Sequence, residues 1–303
     1  MKNIQILALT TGMIVSPLGQ ADHLLFPFVV SNPDNVVTLI SITNMASTYG
    51  YLRYRFFYKS ATNGDECQEY EFIRSTYPGD IVTFDASGTL GDGAPLNNDP
   101  DSYEGRFSLP STTRAVRGYL LVNHYDKDTK TASKEGANTL MGQATVMEIQ
   151  SGSAWGYQAF NDTKADEKPD FSKSGGVIST DQSVPFTFQP SASSQWTTKF
   201  FVTPVGTDMT GASSQYSSHL KFTIHNQNSA NMVSDITCTG AIDLADIMST
   251  ATLQNVEDTG GWGTLTLDGD SGYSPAIIFK LDYTYSEDIL QSGSANNGIL
   301  LGN

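Results

Sequence analysis

Positive charge is what this chain has least of. Its 303 residues include 17 Lys and Arg against 32 Asp and Glu, which gives a formal net charge of −15. A surface this acidic repels phosphate backbones, so no nucleic-acid partner is expected. The acidic residues form no block of like charge, so we predict a folded acidic surface and not an acidic tail.

Cysteine is almost absent, since only Cys67 and Cys238 occur. Without a CxxC or CxxCH motif, thioredoxin-type redox chemistry and c-type haem attachment are excluded. Two thiols in an exported chain commonly pair, so we predict a disulfide between Cys67 and Cys238. It would close a loop of roughly 170 residues and stabilise the fold by about 4–5 kcal/mol on the chain-entropy model. The alternatives are two free buried thiols or a bond to another subunit.

Long apolar runs are scarce as well, and the first lies in residues 1–21. This stretch has the pattern of a secretory signal, with Lys2 ahead of the apolar run Ile4–Val15 and with small Gly19 and Ala21 before a cleavage site. The run falls short of the ~20 residues that span a bilayer, which argues against an anchor helix. No later segment is apolar enough to cross a membrane, so no transmembrane segment is expected after signal removal. We predict export to the periplasm, the cell surface or the extracellular medium.

Strand patterns fill most of the remaining chain. Leu24–Val30 is an almost continuous apolar run, which predicts a strand covered on both faces. Residues 37–44 alternate in polarity, and in residues 51–58 apolar side chains alternate with Arg, as in half-buried strands. The only helix candidate is 243–249, which Asp243 could cap. The pattern predicts an all-β protein with one short helix near 243–249.

Similar segments recur in the two halves of the chain. The matched pairs are Leu39–Asn44 with Leu220–Asn226, Arg117–Val122 with Gly261–Thr266, and Ala144–Ile149 with Ile277–Asp282. Recurrence in the same order predicts two related immunoglobulin-like β-sandwich halves, although unrelated sandwiches also share alternating strands. We place the first half at 22–163, a polar junction at 164–183 and the second half at 184–303. A Cys67–Cys238 bond would then join the halves at equivalent places.

Acidic side chains in polar loops are the candidate metal ligands. They are Asp92, Asp99 and Asp101 in a long loop, Asp126 and Asp128 in a hairpin, and Asp268 and Asp270 in a third loop. Ca²⁺ takes six to eight oxygen ligands, which such loops can supply, but none of them has the EF-hand spacing. Asp is also a common turn residue. Structural Ca²⁺ is therefore the one cofactor that we consider.

Histidine and tryptophan give no catalytic pattern. No HExxH, GxSxG or Cys-His signature accompanies the four histidines, and His219 and His225 would lie on one strand face but about 20 Å apart, too far to share a metal. Exposed tryptophans could stack on sugar rings. Trp155 and Trp262, however, stand next to glycine in strand-like contexts, where a Trp more often packs at the edge of a core. The third, Trp196, begins a predicted strand at 196–205, and the sequence makes no prediction about its packing.

Five motifs carry a family resemblance: FPFVVSNPDNVVTLISITN, RGYLLVN, GSAWGYQAFN, CTGAIDLADIM and GGWG. With them the chain resembles a loose group of exported proteins of Gram-negative bacteria, which open with an F-P-[FY] strand and a T-L-[IV]-x-[IV]-x-N strand after a signal. The resemblance implies an exported, β-rich protein. It carries over no catalytic residue.

These observations favour an exported, non-enzymatic structural or adhesive surface protein. The strand Leu24–Val30 could complete its own sheet, which is our default, or add to the sheet of a neighbour and so produce self-association. The alternative is an extracellular carbohydrate- or ligand-binding module, which should present a face with exposed Trp or Tyr. An enzyme, the third reading, should show a pocket with converging carboxylates or a His–acid pair.

Overall fold

The structure, a computed structural model of the chain, describes residues 23–31, 36–60, 67–86, 116–132, 139–148, 154–162, 168–188, 197–210, 216–225, 230–252, 260–269, 272–283 and 295–302. Strands dominate these residues and all the sheets are antiparallel, so the predicted all-β class is confirmed. The predicted signal at 1–21 lies outside the described residues.

Eighteen strands and one short helix have assigned bounds within these ranges. The strands are His23–Ser31 (β1), Val36–Asn44 (β2), Gly50–Ser60 (β3), Gln68–Thr76 (β4), Ile81–Asp85 (β5), Val116–Asp126 (β6), Thr131–Ala132 (β7), Leu140–Glu148 (β8), Ala154–Gln158 (β9), Phe160–Asp162 (β10), Ser183–Phe188 (β11), Thr197–Pro204 (β12), Ser217–His225 (β13), Ala230–Thr237 (β14), Gly240–Asp243 (β15), Gly261–Leu267 (β16), Ala276–Tyr283 (β17) and Ala295–Leu301 (β18). The helix, α1, spans Leu244–Ile247, and the Asp243 carboxylate accepts from the N–H of Ala245 at its N-terminus. Both the helix and its cap are as predicted.

The strands form four sheets, two in each half of the chain. Sheet A has the order β5-β2-β8-β9, and sheet B has the order β10-β1-β6-β3-β4, with β7 paired to β6. Sheet C has the order β15-β12-β17-β18, and sheet D has the order β11-β16-β13-β14. Sheets A and B enclose one apolar core, which includes Phe26, Ile40 and Tyr54. Sheets C and D enclose another, which includes Phe200 and Phe222.

A third core lies between the two halves. Leu25 and Tyr119 of sheet B contribute to it from one side, and Phe201 and Phe279 of sheet C from the other. Sheets B and C are therefore each buried on both faces. This explains why β1 is apolar at nearly every position, and the predicted two-sided burial of Leu24–Val30 is confirmed.

Strand β1 completes its own sheet. It pairs with β6 along most of its length and with β10 at its first residues, and a bulge between Phe26 and Val29 accommodates Pro27. Strand β3 has the predicted alternation, with Leu52 and Tyr54 in the first core. Its opposite face is less exposed than a half-buried strand implies, because Arg55 is only 8% exposed and is paired with Glu69 on β4.

The two halves share one topology. Sheets A and C have matching strand orders, in which β5, β2, β8 and β9 correspond to β15, β12, β17 and β18. In sheets B and D, β4, β3, β6 and β1 correspond to β14, β13, β16 and β11. The predicted matches of β6 with β16 and of β8 with β17 fit this scheme. The match of Leu39–Asn44 with Leu220–Asn226 is wrong by one strand, because β2 corresponds to β12 and β13 corresponds to β3.

The halves are joined by packing and by a disulfide. Phe171 and Val177, from the chain between the halves, are buried in the third core. Cys67 and Cys238 form the predicted bond, with Cα atoms 5.9 Å apart. The two places are not equivalent, however, because Cys67 precedes β4 whereas Cys238 follows the corresponding β14. Among the described residues, no helix is long and apolar enough to cross a membrane.

Candidate functional site

The outward surface of sheet D is the candidate site, and we call it the open face. On each strand, side chains alternate between the core of the second half and this surface. It displays fifteen side chains: Ser183, Pro185, Thr187, Ser217, His219, Lys221, Thr223, His225, Asn231, Val233, Asp235, Thr237, Trp262, Thr264 and Thr266. The open face is thus a four-stranded surface rich in hydroxyl groups.

Trp262 is the large aromatic side chain of the open face and is 53% exposed. Its ring stacks on that of His225, which lies opposite on β13, with centroids 4.2 Å apart and planes 19° apart. The adjoining Gly261 and Gly263 point inward, where a Cβ atom would come within 2.6 Å of Phe188 and 2.7 Å of Phe186. The glycines therefore admit phenylalanines to the core while Trp262 faces outward.

Hydroxyl and amide groups surround this stack. The hydroxyl of Thr223 donates to the carboxamide oxygen of Asn231 at 2.9 Å, and the hydroxyl of Thr264 lies 3.4 Å from Nε2 of His225. Thr187 lies opposite Trp262 on the edge strand β11. These contacts hold the polar groups at fixed places beside the indole, where they can bond to a polar ligand.

A His–acid pair lies at the other end of the open face. Nδ1 of His219 contacts Oδ1 of Asp235 directly across the β13–β14 ladder, and the His219 ring also packs against Tyr273. The Asp235 side chain is 60% exposed. The pair lies on the sheet surface with its carboxylate exposed, where it can make a polar contact with a ligand.

Three tyrosines form a second aromatic cluster, at one end of the first half. Tyr49 and Tyr77 are 48% and 45% exposed, and their ring centroids are 4.8 Å apart. The hydroxyl groups of Tyr49 and Tyr51 are hydrogen-bonded at 3.2 Å, and this bond raises the pKa of Tyr49. Lys127 lies 3.7 Å from the centroid of the Tyr51 ring. These tyrosines mainly contact one another, so they present less free ring surface than Trp262 does.

The predicted calcium ligands are only partly placed. Asp92, Asp99, Asp101 and Asp270 lie outside the described residues. The Asp126 carboxylate accepts from the N–H groups of Asp128 and Thr129, which lowers its pKa and gives it the role of a turn residue. Asp268 lies in the other half of the chain. The described residues contain no group of three His, Cys, Asp or Glu side chains that could hold a metal ion.

The other histidines are buried. His124 is 5% exposed, and its Nε2 lies 2.9 Å from the hydroxyl of Thr139. Desolvation, with a smaller contribution from nearby His23, lowers the pKa of His124 to about 4. His23 is also 5% exposed, at the start of β1. Both therefore belong to the interior of the protein.

Sequence reasoning was right about Trp155 and wrong about Trp262. Trp155 stacks on Phe28 in the third core, as a packed Trp should. Trp262 is exposed although it also stands between glycines. The signal that identifies it is the alternation in β16, where Leu265 and Leu267 are buried and Trp262 shares the phase of Thr264. Trp196 lies outside the described residues.

No protein-family model matches the chain, and neither does any curated protein. The resemblance to exported proteins of Gram-negative bacteria therefore stays a prediction.

Proposed function

We propose that the protein is an exported, non-enzymatic adhesive protein that binds a neutral glycan on its open face. The observation that carries the proposal is the exposed Trp262 ring, fixed by His225 within a flat surface of hydroxyl groups. A pyranose ring has C–H groups on one face and hydroxyl groups around its rim. An exposed indole can cover the C–H face, while threonine and asparagine side chains form hydrogen bonds with the hydroxyl groups.

The charge of the chain supports a neutral ligand. With a net charge of −15, the protein repels anionic polysaccharides at long range. Within the open face, Lys221 stands near Asp235, so neither sign dominates there. Export is supported by the Cys67–Cys238 bond, because disulfides persist in oxidising compartments.

Self-association through β1 has less support than adhesion through the open face. The strand already pairs with β6 along most of its length and with β10 at its first three residues, and it is buried on both faces. Transfer to a neighbouring sheet would break these pairs and open two cores. An adhesive role therefore rests better on a preformed outer surface.

Affinity electrophoresis and calorimetry of residues 22–303 test the proposal, with a soluble β-glucan, a xylan and a galactomannan as probes. We expect binding to at least one probe and a loss of about tenfold or more in Trp262→Ala, which removes an exposed side chain and should leave the fold intact. Tyr77→Ala is the matched control, because it removes an aromatic ring of similar exposure, 45%, from the other half. Full affinity in Trp262→Ala, or no binding to any probe, would refute the proposal. Loss of binding in Tyr77→Ala alone would show that the glycan binds at the tyrosine cluster and not on the open face.

A further inference from the structure

A second pair of packed rings lies on the open face, at the end away from Trp262. The rings of His219 and Tyr273 have centroids 5.2 Å apart and planes 37° apart. Both residues are half-buried, so part of each side chain is accessible to solvent. The open face therefore has an aromatic contact at each end, and each contact includes one histidine of β13.

Backbone contacts hold Tyr273 in place, although it belongs to the segment between β16 and β17. Gly272 precedes it with a φ of 112°, a conformation that favours glycine. The N–H of Ser274 donates to the carbonyl of Ser217 at 2.8 Å, and the hydroxyl of Ser218 donates to the carbonyl of Ser274 at 2.7 Å. The segment is thus tied to β13 beside His219, so the Tyr273 ring needs little further ordering when a ligand binds.

The two ring pairs are too far apart to hold a single sugar unit between them. His219 and His225 lie on one face of β13, six positions apart, so their Cα atoms are about 20 Å apart. Tyr273 packs against the first histidine and Trp262 against the second. A pyranose ring is about as large as the indole and can reach only one of the pairs. A chain of several sugar units can reach both.

Two rows of half-buried or exposed side chains lie between the ring pairs. They are Thr264, Thr223 and Asn231 in one row and Thr266, Lys221 and Val233 in the next. Successive rows on one face of a sheet are about 7 Å apart, so a chain along β13 meets new hydrogen-bonding groups at each step. The surface between the two ring pairs is therefore accessible and mostly polar along its whole length.

We propose that the open face binds one extended, β-linked glycan chain, which lies along β13 and contacts both ring pairs at once. This inference rests on the proposed function and adds to it the class of glycan and the length of the site. The equatorial linkages of cellulose, xylan and mannan give a straight ribbon, which can lie over both ring pairs. The axial linkages of amylose make the chain coil, so a chain held at Trp262 would turn away before it reached Tyr273.

The second ring contact should increase affinity strongly with chain length. Once a chain is held at one ring pair, its contact with the other pair is intramolecular and needs no second encounter. We therefore expect affinity to rise with the number of sugar units until the chain spans both pairs, and then to level off. The longest β-linked chains should bind about tenfold or more tighter than the disaccharides.

Calorimetry of residues 22–303 with oligosaccharides of increasing length tests the inference. The probes are cello-, xylo- and manno-oligosaccharides from the disaccharide to the hexasaccharide, and malto-oligosaccharides of the same lengths serve as coiled chains. We expect a gain in affinity with length for at least one β-linked series and none for the malto series.

Variants at Tyr273 test which residues provide this gain. Tyr273→Ala should lose it, so that the disaccharide and the hexasaccharide bind this variant with similar affinity. Tyr273→Phe retains the ring and should retain the gain. Tyr77→Ala is the matched control, since it removes a tyrosine ring from the other half and should bind every length like wild type. Thermal melts followed by circular dichroism establish that each variant is folded.

Three outcomes would overturn the inference while the proposed function stands, because binding persists and still depends on Trp262. They are equal affinity for short and long β-linked chains, a full gain with length in Tyr273→Ala, and an equal gain in the malto series. Absence of binding to every oligosaccharide and polysaccharide would refute the proposed function and this inference with it.

Discussion

Lys280 and Asp282 form an ion pair inside the second half, with Nζ 2.7 Å from Oδ2. The side chains are only 3% and 10% exposed, and the hydroxyl of Thr198 donates to the other carboxylate oxygen at 2.7 Å. Lys280 lies opposite Phe200 in the ladder between β12 and β17, on the face that looks toward sheet D. The core of the second half therefore contains a compensated pair of charges.

Removal of one partner of this pair should cost much more than removal of both. Asp282→Leu leaves Lys280 buried without its counter-charge, and we expect a loss of about 3–5 kcal/mol in the free energy of unfolding. The double variant Lys280→Met, Asp282→Leu should recover most of this loss, because both desolvation costs disappear. Urea unfolding of the variants measures both effects. A double variant no more stable than Asp282→Leu would show that the pair does not compensate a burial cost.

The disulfide should stabilise the whole chain by restricting its unfolded state. Cys67 and Cys238 are separated by 171 positions, so replacement of both by Ala should cost about 5 kcal/mol on the chain-entropy model. The cores within the two halves do not contain the bond, so we also expect the double variant to unfold in a broader or divided transition than the oxidised wild-type protein. Calorimetry of the double variant, with the reduced wild-type protein as its control, tests this. Equal melting temperatures in all three samples would contradict it.

The fold class was predictable because half-buried strands alternate apolar and polar residues and fully buried strands are continuously apolar. The two-sided burial of β1 follows from its continuous apolar run, and the cap of α1 follows from Asp243. Which strands pair with which was harder to predict from the sequence. Leu39–Asn44 and Leu220–Asn226 look alike because both are central strands with one buried face, yet they occupy different places in the topology. Local sequence records the environment of a strand and not the identity of its neighbours.

The candidate site was only partly predictable for a related reason. Residue type suggested that Trp262 packs inside, whereas its phase within β16 puts it outside. Arg55 shows the opposite case, since its alternation with apolar residues suggests a solvated face. It is buried with its guanidinium paired to Glu69 on the neighbouring strand and lying over the Phe57 ring, and these contacts have no local signal in the sequence.

Gly118 should be intolerant of any side chain. A Cβ atom there would lie 2.0 Å from the carbonyl oxygen of Phe57 on the neighbouring strand, and this contact with backbone cannot be relieved by a rotamer change. We expect Gly118→Ala to cost about 1–3 kcal/mol or to prevent folding. Gly50→Ala is the matched control, since nothing lies within 4 Å of the added atom at this strand position. Urea unfolding compares the two. Similar stability of both variants would show that β3 and β6 can separate without cost.

His124 should make the protein sensitive to acid. Burial lowers its pKa from an ordinary value of about 6.5 in the unfolded chain to about 4 in the folded protein. Below pH 6.5 the unfolded chain therefore takes up a proton that the folded chain excludes. The contribution to stability is complete above pH 6.5 and falls as the pH decreases toward 4. The slope is about 1.4 kcal/mol per pH unit, and the total loss is about 3 kcal/mol.

Urea unfolding at successive pH values, with wild type compared to His124→Gln, isolates this contribution. Carboxylates titrate near the lower end of the same range in both proteins, so only the difference between the two curves reports on His124. We expect the stability of wild type relative to His124→Gln to fall by about 3 kcal/mol as the pH decreases from 6.5 to 4, because the variant loses no stability through this position. Curves that stay parallel over this interval would mean that His124 gains a proton as readily in the folded protein as in the unfolded chain. In that case its contact with Thr139, and not its burial, would determine its charge.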